Sequence, residues 1–228
     1  MDFNTDKIGI KIAVYAPGPG YDEPVDSWII PGQIYGIGID DNYKIYALYQ
    51  YNVDNSFRIR KIDTSTSYTD DWTEDIPGSI EKLGVDSDGN CYLAYWCDFE
   101  VGYSLRILDS FGLQIDEWWG DGSISELYDI YTKRDGCVYA SYYGNYLGND
   151  DYWVGLYYSG GLETNLSGYY YYVAGSTNYL FCGNNTEVDN YIDVFNYSAY
   201  SNEHTYYMSW SVNGFIMDFA TGVDDTLY

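Results

Sequence analysis

A short motif recurs along this chain at a spacing of about 46 residues. The stretch "GIDD" (38–41) is echoed by "GVDS" (84–87) and again by "GVDD" (222–225). Intermediate steps fall on Ile130 and near Gly175. Each copy has an apolar run, a polar turn and an aromatic run, which is typical of a two-stranded hairpin. A period of this length indicates a repeat protein.

Two further strand-like segments follow each complete hairpin. The third strands are expected at 56–63, 103–110, 152–159 and 190–198, and the fourth strands surround Trp72, the pair Trp118 and Trp119, and Trp210. Four strands in a unit of this length correspond to one blade of a β-propeller. The sequence therefore predicts an all-β fold, a five-bladed β-propeller with four antiparallel strands in each blade.

The predicted blades form a single domain. Their expected bounds are 33–79, 80–123, 124–168, 169–213, and a composite blade made of 214–228 plus 1–32. In that composite blade the N-terminal strands at 7–16 and 26–33 join the C-terminal strands. Backbone pairing between the two ends of the chain is expected to close the ring.

The segment "KLGVDSDGNCYLAYW" (82–96) resembles the hairpin of NHL-type and related bacterial propeller repeats. The predicted blade number and chain length are similar to those of the tachylectin-type five-bladed lectins, whose repeated Gly-Gly-Trp signature this sequence lacks. These resemblances imply the fold only. They do not assign a binding site to particular residues of this sequence.

The charge of the chain restricts its partners. It has 35 acidic and 10 basic residues and a net charge of −25, so phosphate backbones and anionic lipid surfaces are repelled. We expect neutral or cationic partners, with no nucleic acid and no membrane insertion. No apolar stretch is long enough for a membrane span and no secretory signal is visible, so the sequence carries no export address.

The second half of the chain has the composition of a binding surface. Residues 135–228 contain no Lys or Arg and hold 18 of the 31 tyrosines. Tyrosine supplies rigid amphipathic contact area, and small polar residues supply adaptable hydrogen bonds. We predict a glycan or protein contact surface on blades three and four; the alternative is that tyrosine simply replaces Leu and Val in the strands. The candidate residues are Tyr142, Tyr143, Tyr146, Tyr152, Trp153, Tyr169, Tyr171 and Trp210.

Tryptophans recur at one position of the repeat, at Trp28, Trp72, Trp119 and Trp210. They are either stacking platforms for sugar rings or packing residues between neighbouring blades. Recurrence at one position of the blade favours packing.

The hairpin turns are rich in aspartate and should make one face of the ring acidic. Asp40, Asp86, Asp88 and Asp224 are candidates for weak calcium binding, because Asp-x-Asp-Gly resembles the opening of a calcium loop. Asp and Gly are also the residues that tight turns favour, so turn chemistry is the preferred explanation. No other cofactor is expected.

Cys91, Cys97, Cys137 and Cys182 are expected to be core thiols, with one disulfide as the alternative. The chain has a single histidine, His204, which argues against a zinc site and against a catalytic triad.

We expect no enzymatic activity. The alternative is a small glycosidase that would use Glu81, Glu126 or Asp218 on the innermost strands near the central axis. The principal hypothesis is a non-catalytic binding or assembly module, lectin-like, on a virion or at the extracellular surface. A structural subunit of a virion or filament without a ligand, including a homo-oligomer, is the other alternative.

Overall fold

The described part of the chain is built of eighteen β-strands and contains no helix that could span a membrane. The computed structural model describes residues 10–14, 24, 26–66, 68–74, 78–97, 102–119, 124–146, 149–158, 161–176, 178–185, 190–198, 203–213, 215–216 and 227. The all-β prediction is confirmed for these residues.

Sixteen of the strands form four antiparallel sheets of four strands, and each sheet takes its strands in chain order. Blade 1 contains β3 (Gly32–Ile39), β4 (Lys44–Tyr51), β5 (Phe57–Asp63) and β6 (Tyr68–Glu74). Blade 2 contains β7 (Gly78–Val85), β8 (Cys91–Cys97), β9 (Gly102–Leu108) and β10 (Gln114–Trp119). Blade 3 contains β11 (Ile124–Thr132), β12 (Val138–Tyr146), β13 (Asn149–Tyr158) and β14 (Gly161–Ser167). Blade 4 contains β15 (Tyr172–Gly175), β16 (Tyr179–Asn185), β17 (Asn190–Ser198) and β18 (Glu203–Val212).

The first strand of each blade is the inner one. Strand β3 contacts β7, β7 contacts β11, and β11 contacts β15, so the blades follow one another around an axis. Glycines allow the close approach: a Cβ at Gly36 would touch Leu83 at 2.9 Å, and one at Gly84 would collide with Thr132. This radial arrangement of four-stranded sheets is that of a β-propeller.

The hydrophobic cores lie between neighbouring blades. Tyr46, Leu48 and Ile59 of blade 1 pack with Leu93 and Leu108 of blade 2, and similar cores join blade 2 to blade 3 and blade 3 to blade 4. The second strand of a blade is covered on both faces, so β4 is buried continuously from Ile45 to Tyr49. Sheets covered on both faces need such apolar runs, which explains why the aromatic runs in the sequence are so long.

The described residues contain four complete four-stranded blades of the five that the sequence predicts. The remaining strands, β1 (Ile10–Val14) and β2 (Asp26–Ile30), form a separate two-stranded antiparallel sheet. Of the segment 214–228 only residues 215, 216 and 227 are described, so the expected pairing that closes the ring lies outside the described residues.

The tryptophan positions follow the repeat with one slip. Trp28 lies opposite Ile12, and Trp72 lies opposite Ile59 in the core between blades 1 and 2. In blade 2 the matching position belongs to Trp118, opposite Leu105, rather than to Trp119 as expected. The side chain of Trp119 is outside the description. All four cysteines are buried, and no disulfide joins them.

Candidate functional site

A β-bulge interrupts the inner strand of blades 1, 2 and 3 near its middle. The pairing of β3 with β4 passes from Ile34 to Gly36, which leaves Tyr35 as the extra residue. The pairing of β7 leaves Glu81 in the same way, and that of β11 leaves Tyr128. Bulges redirect a side chain relative to the regular pleat and are frequent next to binding sites.

Tyr171 occupies the matching place in blade 4. Its N–H donates to the carbonyl of Gly183 at 2.9 Å, just before β15 begins. Tyr35, Glu81, Tyr128 and Tyr171 therefore stand at one level of four neighbouring inner strands, and we call them the bulge row. Each lies about five residues before the residue that opens its hairpin turn, namely Asp40, Asp86, Lys133 and Ser176.

Each bulge residue on a paired inner strand meets a ring on the third strand of its own blade. The rings of Tyr35 and Phe57 are 5.4 Å apart, and those of Tyr128 and Tyr152 are 6.0 Å apart and nearly parallel at 9°. In blade 2 the hydroxyl of Tyr103 donates to Glu81 at 2.9 Å. The contact between a bulge residue and a third-strand ring therefore recurs in three blades with different side chains. In blade 3 both partners are tyrosines.

Blade 3 and its connection to blade 4 carry an aromatic surface that we call the tyrosine cluster. Its members are Tyr128, Tyr143, Tyr152, Tyr169 and Tyr171. Tyr152 is central, with ring centroids 5.1 Å from Tyr143 and 4.4 Å from Tyr169. Tyr128 and Tyr171 meet edge to face at 4.9 Å across the blade boundary. Tyr169 is 56% exposed and the other four rings are half-buried, so the cluster is a surface and not part of the core.

A carboxylate borders the tyrosine cluster. The hydroxyl of Tyr128 donates to Oε2 of Glu126, an exposed residue, at 2.7 Å. Burial, and then the hydrogen bond to Glu126, raise the pKa of Tyr128 well above its usual value. Burial and the neighbouring Tyr152 also raise the pKa of Tyr171. These phenols stay protonated at neutral pH and present hydroxyl donors beside apolar ring faces.

The predicted binding residues divide into two groups. Tyr143, Tyr152, Tyr169 and Tyr171 are brought together in the tyrosine cluster, whereas the following residues are not part of it. Tyr142 points to the other face of β12, is buried, and bonds with Asn165. Trp153 is half-buried and donates to the carbonyl of Gly144, Trp210 lies on β18 over Phe181, and the side chain of Tyr146 is outside the description.

Sequence reasoning missed Tyr128 and Glu126 as members of this surface. The sequence predicts Glu126 only as a candidate catalytic carboxylate and does not select Tyr128. Their side chains reach the cluster because β11 has bulges on both sides of Leu127. A comparison of Tyr35, Glu81 and Tyr128 at one position of the repeat is the signal that would have found Tyr128.

The aspartates of the hairpin turns hold the turns together. Oδ1 of Asp86 accepts the N–H groups of Asp88 and Asn90, and Oδ2 accepts the hydroxyl of Tyr92 at 3.2 Å. Asp40 makes the matching bonds, including one from Tyr46. Their oxygens are therefore occupied by turn and tyrosine donors, as the preferred explanation expected.

No group of three or more His, Cys, Asp or Glu side chains that could hold a metal ion is found in the described part of the chain. Asp88 is exposed in its turn, and Asp224 lies outside the described residues. Calcium binding by these aspartates stays a prediction.

Basic residues occupy the turn of blade 3, next to the aspartates of the other turns. Lys133 takes the place of Asp40 and Asp86 there, with its N–H bonded to the carbonyl of Cys137. Arg134 forms an ion pair with Asp41 of the blade 1 turn at 3.1 Å. The turns of three blades are thus joined, since Ser87 also donates to the carbonyl of Arg134 at 2.7 Å.

The carboxylates considered for hydrolysis have phenol partners. Glu81 accepts the hydroxyl of Tyr103, and Glu126 accepts that of Tyr128. Asp218 and the side chain of His204 lie outside the description. Glycosidase activity stays an untested alternative.

The sequence matches no protein-family model and no curated protein. Solved structures with a similar fold include the Kuenenia stuttgartiensis hydrazine synthase (TM-score 0.54, 14% identity, 86% of this chain and 53% of that chain). Another is the β-propeller domain of the Trilobed protease from Pyrococcus furiosus, described as having an open velcro topology (TM-score 0.50, 7% identity, covering 79% of this chain and 58% of that chain). A third is the Dos1 propeller (TM-score 0.51, 11% identity, covering 85% of this chain and 51% of that chain).

The chain thus spans little more than half the length of these solved chains. At such low identity the likeness concerns the fold alone. It supports a β-propeller, a fold consistent with a binding or assembly module.

Proposed function

We propose that this chain is a non-catalytic binding module and that the tyrosine cluster is its contact surface for a glycan. One observation carries the proposal: four of the tyrosines selected from composition lie in one half-buried surface, together with Tyr128. Core tyrosines such as Tyr46 and Tyr49 are fully buried by comparison. Full burial in the cores between blades therefore does not account for the cluster.

The chemistry of the surface suits a sugar. A pyranose has apolar C–H faces and a rim of hydroxyls, and it needs flat rings together with hydrogen-bonding groups. Tyrosine supplies both on one side chain. The hydroxyl of Tyr128 lies beside the Glu126 carboxylate, which is an acceptor for sugar hydroxyls. The high negative charge of the chain does not oppose a neutral glycan.

The proposal is tested on a glycan array with two matched variants. Tyr152→Leu keeps apolar volume but removes the central ring, and we expect retention to fall by about tenfold, which corresponds to about 1.4 kcal/mol. Tyr158→Leu is the control, because Tyr158 is exposed at the far end of the same strand, opposite Gly161. A silent array for the wild-type protein, or an equal loss in both variants, would contradict the proposal.

Assembly is a second candidate function, and one surface feature favours it. Phe111, Leu113 and Ile115 are exposed along the turn and outer strand β10 of blade 2. Exposed apolar side chains on an edge strand are typical of contact with another chain. A virion or extracellular filament subunit is consistent with this edge. Light scattering over a concentration series tests it, since a monomer at all concentrations would remove the idea.

The proposal includes a fifth, composite blade between blades 4 and 1. The sheet of β1 and β2 carries the Ile12–Trp28 pair, which matches Ile59–Trp72 of blade 1, and its Ile30 packs against that blade. Ile216 and Leu227 pack against blade 4. These contacts support two halves of one blade, drawn from 1–32 and 214–228.

A further inference from the structure

Tyrosine rings in the first two blades are covered by cations from the chain itself. The guanidinium of Arg58 lies 3.9 Å from the ring centre of Tyr51, and that of Arg60 lies 5.8 Å from Tyr49. In blade 2, Arg106 lies 5.6 Å from the ring of Tyr95. A cation over an aromatic face is attracted by the negative face of the ring. The chain therefore uses cation–π pairing as a repeated device.

Two of these cations, Arg60 and Arg106, occupy one position of the repeat, and blades 3 and 4 have no cation at that position. Arg60 pairs across β4 with Ala47, and Arg106 pairs across β8 with Leu93. The matching residue of β13 is Gly155, opposite Ala140, and that of β17 is Asp193, opposite Cys182. Residues 135–228 contain no Lys or Arg at all. The second half of the chain keeps the tyrosines but supplies no cation of its own.

The tyrosine cluster combines this lack of cations with a carboxylate. Tyr128 binds one oxygen of Glu126, and the carboxylate is exposed at the border of the rings. The nearest basic side chain on a neighbouring inner strand, Lys82, is paired with Asp129 at 3.3 Å. Ring faces and an exposed carboxylate together attract an ammonium group.

We propose that the ligand of the tyrosine cluster is a glycan that carries protonated primary amines, such as an oligomer of deacetylated amino sugar. The sugar ring lies on Tyr152 and Tyr169, and an ammonium group lies between Glu126 and the faces of Tyr128 and Tyr171. This inference rests on the proposed glycan-binding function and names the class of glycan. The overall charge of −25 favours the approach of such a ligand.

The test compares three probes of equal length by calorimetry: a glucosamine oligomer, its N-acetylated form and a glucose oligomer. At mildly acidic pH and low salt we expect the glucosamine oligomer to bind at least about tenfold more tightly than its N-acetylated form. High salt should reduce the difference, because screening weakens attraction between exposed charges.

Two variants distinguish binding at the tyrosine cluster from general electrostatic attraction to the acidic chain. Glu126→Gln should remove most of the tenfold preference, and Tyr152→Leu should weaken binding of the glucosamine oligomer. Asp88→Asn removes one exposed carboxylate on the opposite, turn face. It should change neither the preference for the glucosamine oligomer nor the strength of its binding. An equal effect of Asp88→Asn and Glu126→Gln would show that only net charge acts, and it would overturn the inference.

The remaining outcomes distinguish this inference from the function on which it rests. If the glucose or N-acetylated oligomer binds as well as the glucosamine oligomer, glycan binding stands and the preference for amines is wrong. If no oligomer binds, both fail. Binding of a lysine-rich peptide in the absence of any sugar binding would make the cluster a protein contact and would also overturn the inference.

Discussion

Asp86 organises a hairpin and ties it to the core with a single side chain. Its carboxylate accepts two backbone N–H groups of its own turn and the hydroxyl of the buried Tyr92. The turn of the next blade covers this pair, since a Cβ at Gly136 would approach the Tyr92 hydroxyl at 2.7 Å. Gly136 has a φ of 81°, which favours glycine. The turn motif is therefore a structural device before it is a ligand site.

Removal of this carboxylate should destabilise the fold. We expect Asp86→Ala to lower the free energy of unfolding by about 2–4 kcal/mol, because it leaves buried donors without acceptors. Asp88→Ala, in the same turn but exposed, should change it by less than about 0.5 kcal/mol. Urea unfolding measures both. Repeating it with calcium and with EDTA tests the calcium prediction, which would be supported by a calcium-dependent midpoint that Asp88→Ala abolishes.

The close spacing of the inner strands of neighbouring blades depends on glycine. At Gly84 of β7 a Cβ would collide with the side chain of Thr132 on β11, whose spacing from β7 permits no extra atom. At the start of β14, in contrast, a Cβ at Gly161 would lie 3.6 Å from the nearest atom. The sequence shows both residues only as glycines within strands.

Gly84→Ala should therefore cost about 1–3 kcal/mol, because overpacking forces two strands apart. Gly161→Ala should be neutral within about 0.5 kcal/mol. Thermal unfolding followed by circular dichroism measures the pair. Equal melting temperatures for the two variants would show that the inner strands can separate without cost.

At the scale of the whole molecule, blade 1 has an apolar face that the described residues leave open. Ile37 and Ile39 of β3 are 54% and 56% exposed. They lie on the side of β3 opposite Gly36 and Gly38, which face blade 2. This is the side that the sheet of β1 and β2 partly covers through Ile45 and Tyr49.

If a composite blade covers this side, Ile37→Asp and Ile39→Asp should each cost about 2 kcal/mol or more, since burying a charge without a partner is unfavourable. Ile115→Asp is the control, because Ile115 is equally exposed at 57% but lies on an outer edge strand. Denaturant unfolding compares the three. Similar small effects at all three positions would contradict the fifth blade.

The molecule should also lose stability at alkaline pH. Burial, and then the charge of Asp40, raise the pKa of Tyr46, while burial and Asp86 do the same for Tyr92. Burial and the hydrogen bond to Glu117 raise the pKa of Tyr95 to about 12. In the folded state these three phenols therefore stay protonated above about pH 10, where the tyrosines of the unfolded chain lose their protons.

The stabilisation from these phenols is therefore fully present below pH of about 10 and is lost as pH rises through the folded-state values. For each buried phenol the loss approaches about 1.4 kcal/mol per pH unit in that window. Denaturant unfolding across the alkaline range, with phenolate absorbance as a second signal, measures it. Ionisation of all tyrosines at the ordinary pH without loss of stability would contradict the assignment.

Much of this protein can be predicted from the amino-acid sequence, because the spacing of turns, apolar runs and tryptophans is a local property. The 46-residue period indicated four-stranded propeller blades, and the lack of Lys and Arg after Arg134 pointed to a tyrosine-rich surface in the second half. The third and fourth strands of blade 1, around Ile59 and Trp72, follow from the same pattern.

Only the tertiary structure decided which side chains meet. Tyr142 and Tyr143 are neighbours in the sequence, yet one is buried and the other lies in the cluster, because successive strand residues face opposite sides. Tyr128 joins the cluster through a bulge, and Trp118 rather than the expected Trp119 lies opposite Leu105 on the neighbouring strand. Register and bulges depend on pairing with distant strands, so local periodicity determines the fold class but not the membership of the site.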